Sequence, residues 1–366
     1  MSGGAWLAVI LVAALIGAAI YRLSAGLGAV TNLSDDVPWG LWIGFDVLAG
    51  VALAAGGFTI AATVYIFNMK KYKPIARAAV LTAFVGYVIV SVGIFLDIGK
   101  PITLWHALVM WQPHSIMFEV VMCVVLYTTV LALEFSGPYL EGTGSSAAKT
   151  MTSRKVMVPL AIAAVTLSYL HQSSLGALFL LMPTKLNHLW WTTMLPYNFF
   201  ISAIAAGLAM VSVEYIIASS VFKHDCNFDI LRGLAKGTAI TLLVYFVFRV
   251  GDIMLKGNLG LMGEGTTGML FIIEMLLVLI PMVMLFFFSS GSEPKAGAVF
   301  IPQMLVLAGI ILNRMDVLFL AELGEGATYH PSIIEIIITA GLIAAIVLAY
   351  RIAAVKLPIA SSVKAD

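Results

Sequence analysis

The sequence predicts an all-α polytopic membrane protein with about ten transmembrane helices, and three observations support this fold class. First, 61% of the 366 residues are hydrophobic, 11% are charged and the mean hydropathy is +1.03, whereas soluble domains carry roughly 25% charged residues. Second, ten apolar runs approach the length of about 20 residues that a membrane-spanning helix needs. Third, the connections between them are too short to form a soluble domain. The composition therefore excludes an ordinary soluble enzyme, and the absence of a large basic cluster argues against nucleic-acid binding.

Hydropathy locates each predicted helix. The first run lacks the basic start and small-residue cleavage site of a signal peptide, so we interpret it as a retained helix. The connection 136–154 is rich in Gly and Ser and is predicted to be the longest loop. The ten predicted helices cover residues 5–23, 39–67, 76–97, 114–135, 156–180, 195–219, 237–254, 267–288, 297–320 and 331–355.

Short internal similarities predict two four-helix repeats within a single integral membrane domain, 1–366. PWGLWIGFD opens the second helix and PYNFFISAI the sixth, FLDIGK ends the third and FRVGDI the seventh, and MFEVV and IIEML lie in the fourth and eighth. The pairs recur in the same order, roughly 155 residues apart. We therefore expect one bundle of helices 2–5 (39–180), a second of helices 6–9 (195–320), and flanking helices at 5–23 and 331–355, with a polar pocket between repeats as a recurring feature of such proteins.

The distribution of Lys and Arg orients the predicted helices, because cytoplasmic loops carry the excess of positive charge. One side of the membrane collects fourteen of the twenty basic residues: Lys70, Lys71, Lys73, Arg77, Lys149, Arg154, Lys155, Lys223, Arg232, Lys236, Lys295, Arg351, Lys356 and Lys364. The other side has Arg22, Lys100, Lys185 and Lys256. This asymmetry predicts that both termini are cytoplasmic.

Ionisable residues within the spans concentrate in the outer half of this arrangement. From the helical rise of 1.5 Å per residue, we expect the deepest of them to be Asp46, Glu119, His171 and Glu274. Ionisable groups at such depth are functional by default. A second set near helix ends is either solvated or functional and comprises Asp97, Glu134, Asp252 and Glu335. Tryptophans 39, 42, 105, 111, 190 and 191 are expected to form an interfacial belt.

The polar segment YLHQSSLG, residues 169–176, interrupts the otherwise apolar fifth helix. A transmembrane b-type haem needs two facing histidines, and only His171 is clearly embedded, so haem is disfavoured. The two cysteines form no CxxC motif, which argues against an iron–sulfur centre in this chain, and no metal-ligand spacing appears elsewhere. A quinone fits better, because its carbonyl oxygens need hydrogen-bond donors in an apolar slot with titratable groups nearby.

Residues for a quinone site follow from these positions. His171 can donate a hydrogen bond and exchange a proton near neutral pH, and Asp46 and Glu119 are buried carboxylates suited to proton transfer. Arg249 can pair with Asp97 or Asp252 at the mouth of the pocket, although its spacing from Asp252 also suits a structural ion pair. The predicted quinone-binding residues are His171, Gln172, Asp97, Arg249, Asp252 and His106.

The ordered motifs PWGLWIGFDVLAG, FVGYVIV, FLDIGK, SIMFEVVMCVVLYTTVLALEF, YLHQSSLGAL and VFRVGD resemble the NrfD-like family of polysulfide-reductase membrane subunits. The resemblance runs from about residue 21 to 351 and is greatest to the HybB-type subunits of nickel–iron hydrogenases. The segment DIGKPITLWHALVMWQPHS, which contains His106, departs from that pattern and suits altered quinone access or a different partner.

The resemblance implies a haem-free subunit of the bacterial or archaeal cytoplasmic membrane, with a menaquinone or ubiquinone site near the outer face and no redox centre of its own. It also implies a periplasmic ferredoxin-like iron–sulfur partner and further subunits such as a hydrogenase or a multihaem cytochrome. Matched family positions, together with the deep Glu274, give a predicted proton path of Asp46, Tyr87, Glu119, Glu214 and Glu274. The alternatives are a proton-translocating subunit, a passive anchor for periplasmic partners, and a b-type haem subunit.

Overall fold

The computed structural model describes residues 3–223, 226–290, 296–322 and 329–359. Within these residues ten helices are long and apolar enough to cross a membrane, which confirms the predicted fold class. His224, Lys295 and Lys364, which the sequence analysis placed in cytoplasmic segments, lie outside the described residues. The helices are α1 Gly3–Ala25, α2 Trp42–Ile66, α3 Lys73–Asp97, α4 Ile116–Gly142, α5 Arg154–Leu178, α6 Leu195–Phe222, α7 Phe228–Leu255, α8 Gly265–Ser290, α9 Ala296–Glu322 and α10 Ile333–Lys356.

The helices pack as two groups of four with two outer helices. Helices α2, α3, α4 and α5 contact one another around the first group, and α6, α7, α8 and α9 around the second. Helix α6 also packs on α5 and α2, so it is central to the junction between the groups. Helix α1 packs on α10, which in turn contacts α3. We refer to the two groups as the first and second bundles.

Glycines bring the two bundles into backbone contact at the crossing of α2 and α6. A Cβ atom on Gly207 would lie 2.5 Å from the Gly56 nitrogen and 2.6 Å from the Ala55 carbonyl carbon. Such distances are far below van der Waals contact, so only glycine fits at position 207. Small residues serve this purpose widely in membrane helix packing, because they allow backbones to approach closely.

Helix α2 is irregular, which the apolar periodicity did not predict. Two wide π-helical segments, Trp42–Ala49 and Ala62–Ile66, flank regular α-helical turns that are broken at residues 54–55. Asp46 lies in the first wide segment. Wide turns of this kind occur frequently at functional sites, because they redirect side chains out of the regular helical spacing.

Several predicted boundaries are wrong, because the helices continue past the apolar core. Helix α4 extends to Gly142 with Pro138 inside it, so the first part of the predicted loop 136–154 is helical, and Ala148–Met151 forms a further helical turn. Helix α7 begins at Phe228, nine residues before the predicted start at 237. The Asn227 side chain accepts hydrogen bonds from the backbone N–H groups of residues 229 and 230 and thereby caps this polar first turn.

The interfacial belt of tryptophans is wrong for two of its six members. Trp42 is buried and donates its indole N–H to the Glu335 carbonyl at 3.2 Å. Trp190 is fully buried and donates to the Glu274 carboxylate at 2.8 Å. By contrast, the side chains of Trp105 and Trp111 are 56% and 65% exposed. Hydropathy patterns do not reveal that an indole N–H has a buried acceptor, so the two classes were indistinguishable in the sequence.

Candidate functional site

His171 lies at the centre of the first bundle and is completely buried. Its Nδ1 atom is 3.1 Å from the Tyr87 hydroxyl, which is also fully buried, and the two rings are 5.6 Å apart. The Nε2 atom is buried without a protein hydrogen-bond partner. With the Tyr87 hydroxyl as donor to Nδ1, the neutral imidazole carries its hydrogen on Nε2 and offers it to an acceptor.

Two further hydroxyls lie behind the Tyr87–His171 pair. The Tyr127 ring meets the Tyr87 ring edge-on at 4.5 Å, and the buried Ser168 hydroxyl interacts with both phenols. Tyr127 and Ser168 were not predicted as site residues. Their buried polar atoms extend the polar surroundings of His171 within the first bundle.

The structure divides the polar segment at 171–174 into two pairs of residues. Gln172 is fully buried, and neither its amide nitrogen nor its amide oxygen has a protein partner. Ser173 and Ser174 instead donate to carbonyls one turn back on their own helix, at 2.7 Å to Tyr169 and 2.6 Å to Leu170. Of these four residues, only His171 and Gln172 therefore retain polar side-chain atoms that are available to another molecule.

Asp46 belongs to a separate polar group between α2, α3 and α10. Its carboxylate accepts a hydrogen bond of 2.8 Å from Thr339 on α10. It also interacts electrostatically with Asp97 at the end of α3, which in turn interacts with Glu335. No described hydrogen bond or ion pair joins this group to His171.

Arg22 completes this group from α1. Its guanidinium donates to the backbone carbonyls of Leu96 and Ile98, on either side of Asp97, and its side chain is buried. From the sequence, Arg22 is predicted only as one of the few basic residues on the outer side, at the end of the first helix. Its role went unrecognised because the partners are backbone carbonyls 74 and 76 residues away.

Glu119 is less buried than predicted. It lies in the first turn of α4, after the Ser115 N-cap, and its side chain is of intermediate exposure. No hydrogen bond of its carboxylate to another described side chain is observed. Glu119 interacts electrostatically with Cys123, which in turn interacts with Tyr87, and its role in the site stays a prediction.

Glu274 is the centre of a hydrogen-bonded cluster in the second bundle. One carboxylate oxygen accepts from Trp190, and the other accepts from Asn313 at 2.9 Å and Tyr245 at 3.4 Å. Arg249 approaches this second oxygen at 3.8 Å and stacks over a phenylalanine ring. Asp252 instead pairs with Lys256 at 3.1 Å. The predicted pairing of Arg249 with Asp97 or Asp252 is thus wrong.

Arg314 extends this cluster toward α6. Its guanidinium donates to Asn313 at 2.6 Å, to the Phe199 carbonyl at 2.9 Å and to the Ser202 hydroxyl at 2.8 Å. It also lies 3.7 Å from the centre of the Phe199 ring. We call the whole set the Glu274 network, and its members are Trp190, Ser202, Tyr245, Arg249, Glu274, Asn313 and Arg314.

Two carboxyl groups lie toward the other end of the helices. Glu214 accepts a hydrogen bond of 2.7 Å from Thr82 and faces the Tyr350 hydroxyl beside a cavity between α3, α6 and α10. Glu134 is 1% exposed, and neither of its carboxylate oxygens has a protein partner. From its position near a helix end, Glu134 was predicted to be either solvated or functional. The structure shows that its side chain is buried and not solvated.

His106 is separate from the buried polar groups described above. It belongs to a short helix, His106–Val109, between α3 and α4, where its ring packs on Trp105 at 4.2 Å. Its own exposure is intermediate, and neighbouring Ile102 is 83% exposed. No described contact joins His106 to His171. Among the residues that the structure describes, no group of three His, Cys, Asp or Glu side chains is arranged to hold a metal ion.

Comparison with known proteins gives a consistent result. The family model described as "Polysulphide reductase, NrfD" matches residues 29–323. A protein of Nitratidesulfovibrio vulgaris (strain Hildenborough), with no activity in its name, is 38% identical over 353 residues, which cover 93% of this chain and 90% of the relative. The probable Ni/Fe-hydrogenase 2 b-type cytochrome subunit of Escherichia coli K12 is 29% identical, covering 94% of this chain and 89% of the relative. The menaquinone reductase integral membrane subunit of the same N. vulgaris strain is 32% identical, covering 64% and 58% respectively.

Proposed function

Because this chain belongs to the NrfD family, we propose that it is the quinone-reactive membrane subunit of a respiratory redox complex. In this proposal it passes electrons between a periplasmic ferredoxin-like iron–sulfur subunit and menaquinone or ubiquinone. Further subunits, such as a hydrogenase or a multihaem cytochrome, would complete the complex. The similarity to a menaquinone reductase subunit and to a hydrogenase subunit supports this class of function.

One observation supports the quinone site most strongly. His171 Nε2 and both polar atoms of Gln172, the next residue in the chain, are buried and without protein partners. Buried polar groups are almost always hydrogen-bonded, so unpartnered ones call for a ligand or water. A quinone supplies two-electron carrier chemistry and two carbonyl acceptors, which fit the Nε2–H of His171 and one of the two amide N–H groups of Gln172. Asp97, Arg249, Asp252 and His106 make no described contact with this pair and stay predictions.

His171 is also placed to exchange a proton at this site. Its Nδ1 atom contacts the Tyr87 hydroxyl at 3.1 Å, so a proton leaving Nε2 can be balanced through the other ring nitrogen. Histidine is the side chain best suited to such exchange near neutral pH. Its complete burial keeps competing water away from the transferred proton.

The haem alternative is less well supported by the donor groups. One relative is named a b-type cytochrome subunit, so the point matters for this chain. Within the described spans, the donor set offers His171 as a fully buried histidine, and its Nδ1 atom already contacts Tyr87. A pair of facing histidines is not formed among the described residues. The absence of haem stays a prediction.

A proton path through buried carboxylates is a second part of the proposal. The observation that favours it is Glu134, a fully buried carboxyl without partners that interacts electrostatically with Tyr127. Tyr127 contacts Tyr87, and Tyr87 contacts His171. Glu214, bonded to Thr82 on the same helix as Tyr87, offers another inner station. Glu119 interacts electrostatically with Cys123, which interacts with Tyr87, whereas no described contact joins Asp46 or Glu274 to His171. All three stay predictions for this path.

The proposed orientation places both termini and the basic connections in the cytoplasm and the His171 site nearer the periplasmic face. The structure brings three basic connections to one end. Arg77 pairs with Glu141 at 2.7 Å and donates to the Pro358 carbonyl at 2.9 Å, and Arg154 contacts Asn68 at 3.3 Å. This clustering supports a single positively charged end, which the positive-inside rule assigns to the cytoplasm.

Replacing His171 with alanine in the assembled complex tests the proposed site. We expect quinone turnover to fall at least about 100-fold, as is typical for loss of a proton-transferring side chain. Ser173→Ala is the matched control, because Ser173 lies on the same helix turn, is less buried than His171 and bonds only to its own helix. Subunit content measured by mass spectrometry establishes assembly. Unchanged turnover in an assembled His171→Ala complex would contradict the site and favour the passive anchor.

A further inference from the structure

Two buried hydrogen-bond networks approach each other where the bundles meet. In the first bundle, His171 contacts Tyr87 and is followed in the chain by Gln172. In the second bundle, the Glu274 network reaches α6 through the bonds of Arg314 to Ser202 and to the Phe199 carbonyl. The Ser202 hydroxyl also donates to the backbone carbonyl of Asn198 at 2.6 Å.

The side-chain amide of Asn198, on α6, makes no hydrogen bond to the Glu274 network. It is 2% exposed, and both its amide nitrogen and its amide oxygen lack protein partners. Gln172 on α5 is in the same condition. The two primary amides carry the same donor and acceptor atoms, so each supplies what the other lacks.

The packing of α5 on α6 places these amides at the same level. On one side, a Cβ atom on Gly176 would lie 2.8 Å from the Leu195 carbonyl oxygen. On the other side, the rings of Tyr169 and Phe200 are 4.9 Å apart. Gln172 lies between positions 169 and 176, and Asn198 between 195 and 200. Gln172 is four residues from Gly176 and Asn198 three from Leu195, which puts each near the contact face of its helix.

We propose that Gln172 and Asn198 form a polar junction between the bundles through a bound water molecule, which links the Glu274 network to the His171 site. The junction makes Asn198 and Asn313 positioning residues for a site in the other bundle. It also accounts for four buried amide atoms that are otherwise costly to leave unpaired. The link to quinone chemistry rests on the proposed function, whereas the junction itself does not.

The physical junction is tested by melting temperatures of Gln172→Leu, Asn198→Leu and the double variant in the purified complex. Removing one member of a pair strands the other, whereas replacing both with apolar groups is nearly neutral. We therefore expect each single variant to melt about 2–4 °C lower and the double variant to recover most of that loss. Single variants that melt higher than the wild type, or losses that simply add, would overturn the junction. Should Asn198→Leu not assemble, Asn198→Ala replaces it in the same cycle.

The link to His171 is tested by the pH dependence of quinone turnover. Asn198→Leu opens the junction, and Asn313→Leu breaks the bond to Glu274 in the other bundle. We expect both to shift the pH profile in the same direction. Gln303→Leu is the control, because Gln303 is a buried amide of the second bundle bonded to Ser212 and Thr238, outside the Glu274 network. An unchanged profile in both test variants would overturn the link. The melting cycle needs no quinone, so it still decides the junction if the wild type shows no turnover.

Discussion

At the scale of single residues, the main distinction is between polar groups that the protein satisfies and polar groups that it leaves available. Glu274 is held by Trp190, Tyr245 and Asn313 and has no vacant oxygen. His171 and Gln172 each retain buried polar atoms without a partner. Both kinds look alike in the sequence, as isolated polar letters in apolar runs. Under the proposed function, the first kind stabilises the fold and the second is available for binding or catalysis.

Tyr87→Phe tests the contact that orients His171. The substitution removes one hydroxyl and keeps the ring, so the fold and the edge contact with Tyr127 should survive. We expect quinone turnover to fall up to about tenfold, in line with a hydrogen bond of about 0.5–1.5 kcal/mol. Turnover and assembly are measured together. Wild-type turnover in Tyr87→Phe would contradict a role for its hydroxyl at Nδ1.

Trp190→Phe tests the role of Glu274 in stability. The change deletes the indole N–H that bonds the buried carboxylate at 2.8 Å. Loss of a hydrogen bond to a charged group costs about 1.5–3 kcal/mol, so we expect a clear fall in thermal stability. Trp111→Phe is the control, since that side chain is largely exposed and donates only to the Leu108 carbonyl in the short helix His106–Val109. Equal melting temperatures for the two variants would refute the assignment.

At the scale of helices, hydropathy was sufficient to predict ten spans but not their internal geometry. The wide turns of α2 arise from tertiary packing, since no Pro or charge pattern in Trp42–Ala49 marks them. The helix ends were missed wherever polar turns continue beyond the apolar core, as at Phe228. The burial of Trp42 and Trp190 depends on acceptors that are distant in the sequence. Contacts of this kind are set by the fold and have no local signature.

The same limit explains the outcome for the site. His171 and Gln172 were accessible to sequence reasoning, because polar residues within an apolar span stand out. Tyr127 and Asn198 were not, because tyrosine and asparagine are ordinary residues of membrane helices. The expected meeting of Arg249 with Asp97 failed because the two residues belong to different bundles. Depth in the membrane was a useful guide, but it carries no information about which neighbour a side chain faces.

Gly207→Ala tests the contact between α2 and α6. The added methyl group would lie 2.5 Å from the Gly56 nitrogen, so the helices must separate or the variant must unfold more readily. We expect a marked loss of thermal stability, although Ala favours helix over Gly by about 1 kcal/mol. Gly17→Ala is the control, because a Cβ atom there meets open space and the propensity gain acts alone. A Gly207→Ala protein as stable as the control would disprove the close contact.

At the scale of the whole molecule, the two bundles differ in their buried polar groups. The first contains the unpartnered atoms of His171 and Gln172, and the second contains the Glu274 network, in which both carboxylate oxygens have donors. The predicted sequence repeat would give the two a common plan that has diverged in polarity. Helix α6 packs on α2 and α5 of the first bundle and on α7 and α9 of its own bundle. A structural change in one bundle can therefore reach the other through α6.

Cysteine accessibility tests the proposed orientation. Ser146, between α4 and α5, and Thr193, before α6, are both exposed and lie at opposite ends of the helices. In a background with Cys123 and Cys226 replaced, a membrane-impermeant maleimide should label Ser146→Cys only from the cytoplasmic side. It should label Thr193→Cys only from the periplasmic side. The reverse pattern would invert the orientation and move the His171 site to the other half of the membrane.

The central claim is that a quinone binds beside His171 in the first bundle, and photoaffinity labelling of the assembled complex tests it most directly. An azido-quinone analogue is cross-linked with and without excess unlabelled quinone, and the modified peptides are mapped by mass spectrometry. The account predicts displaceable labelling of α5 around His171 and Gln172 and of the facing turns of α2 and α3. Displaceable labelling confined to the apolar groove of α7 and α8, lined by Phe246, Phe271 and Met275, would contradict it. So would labelling that excess quinone fails to displace.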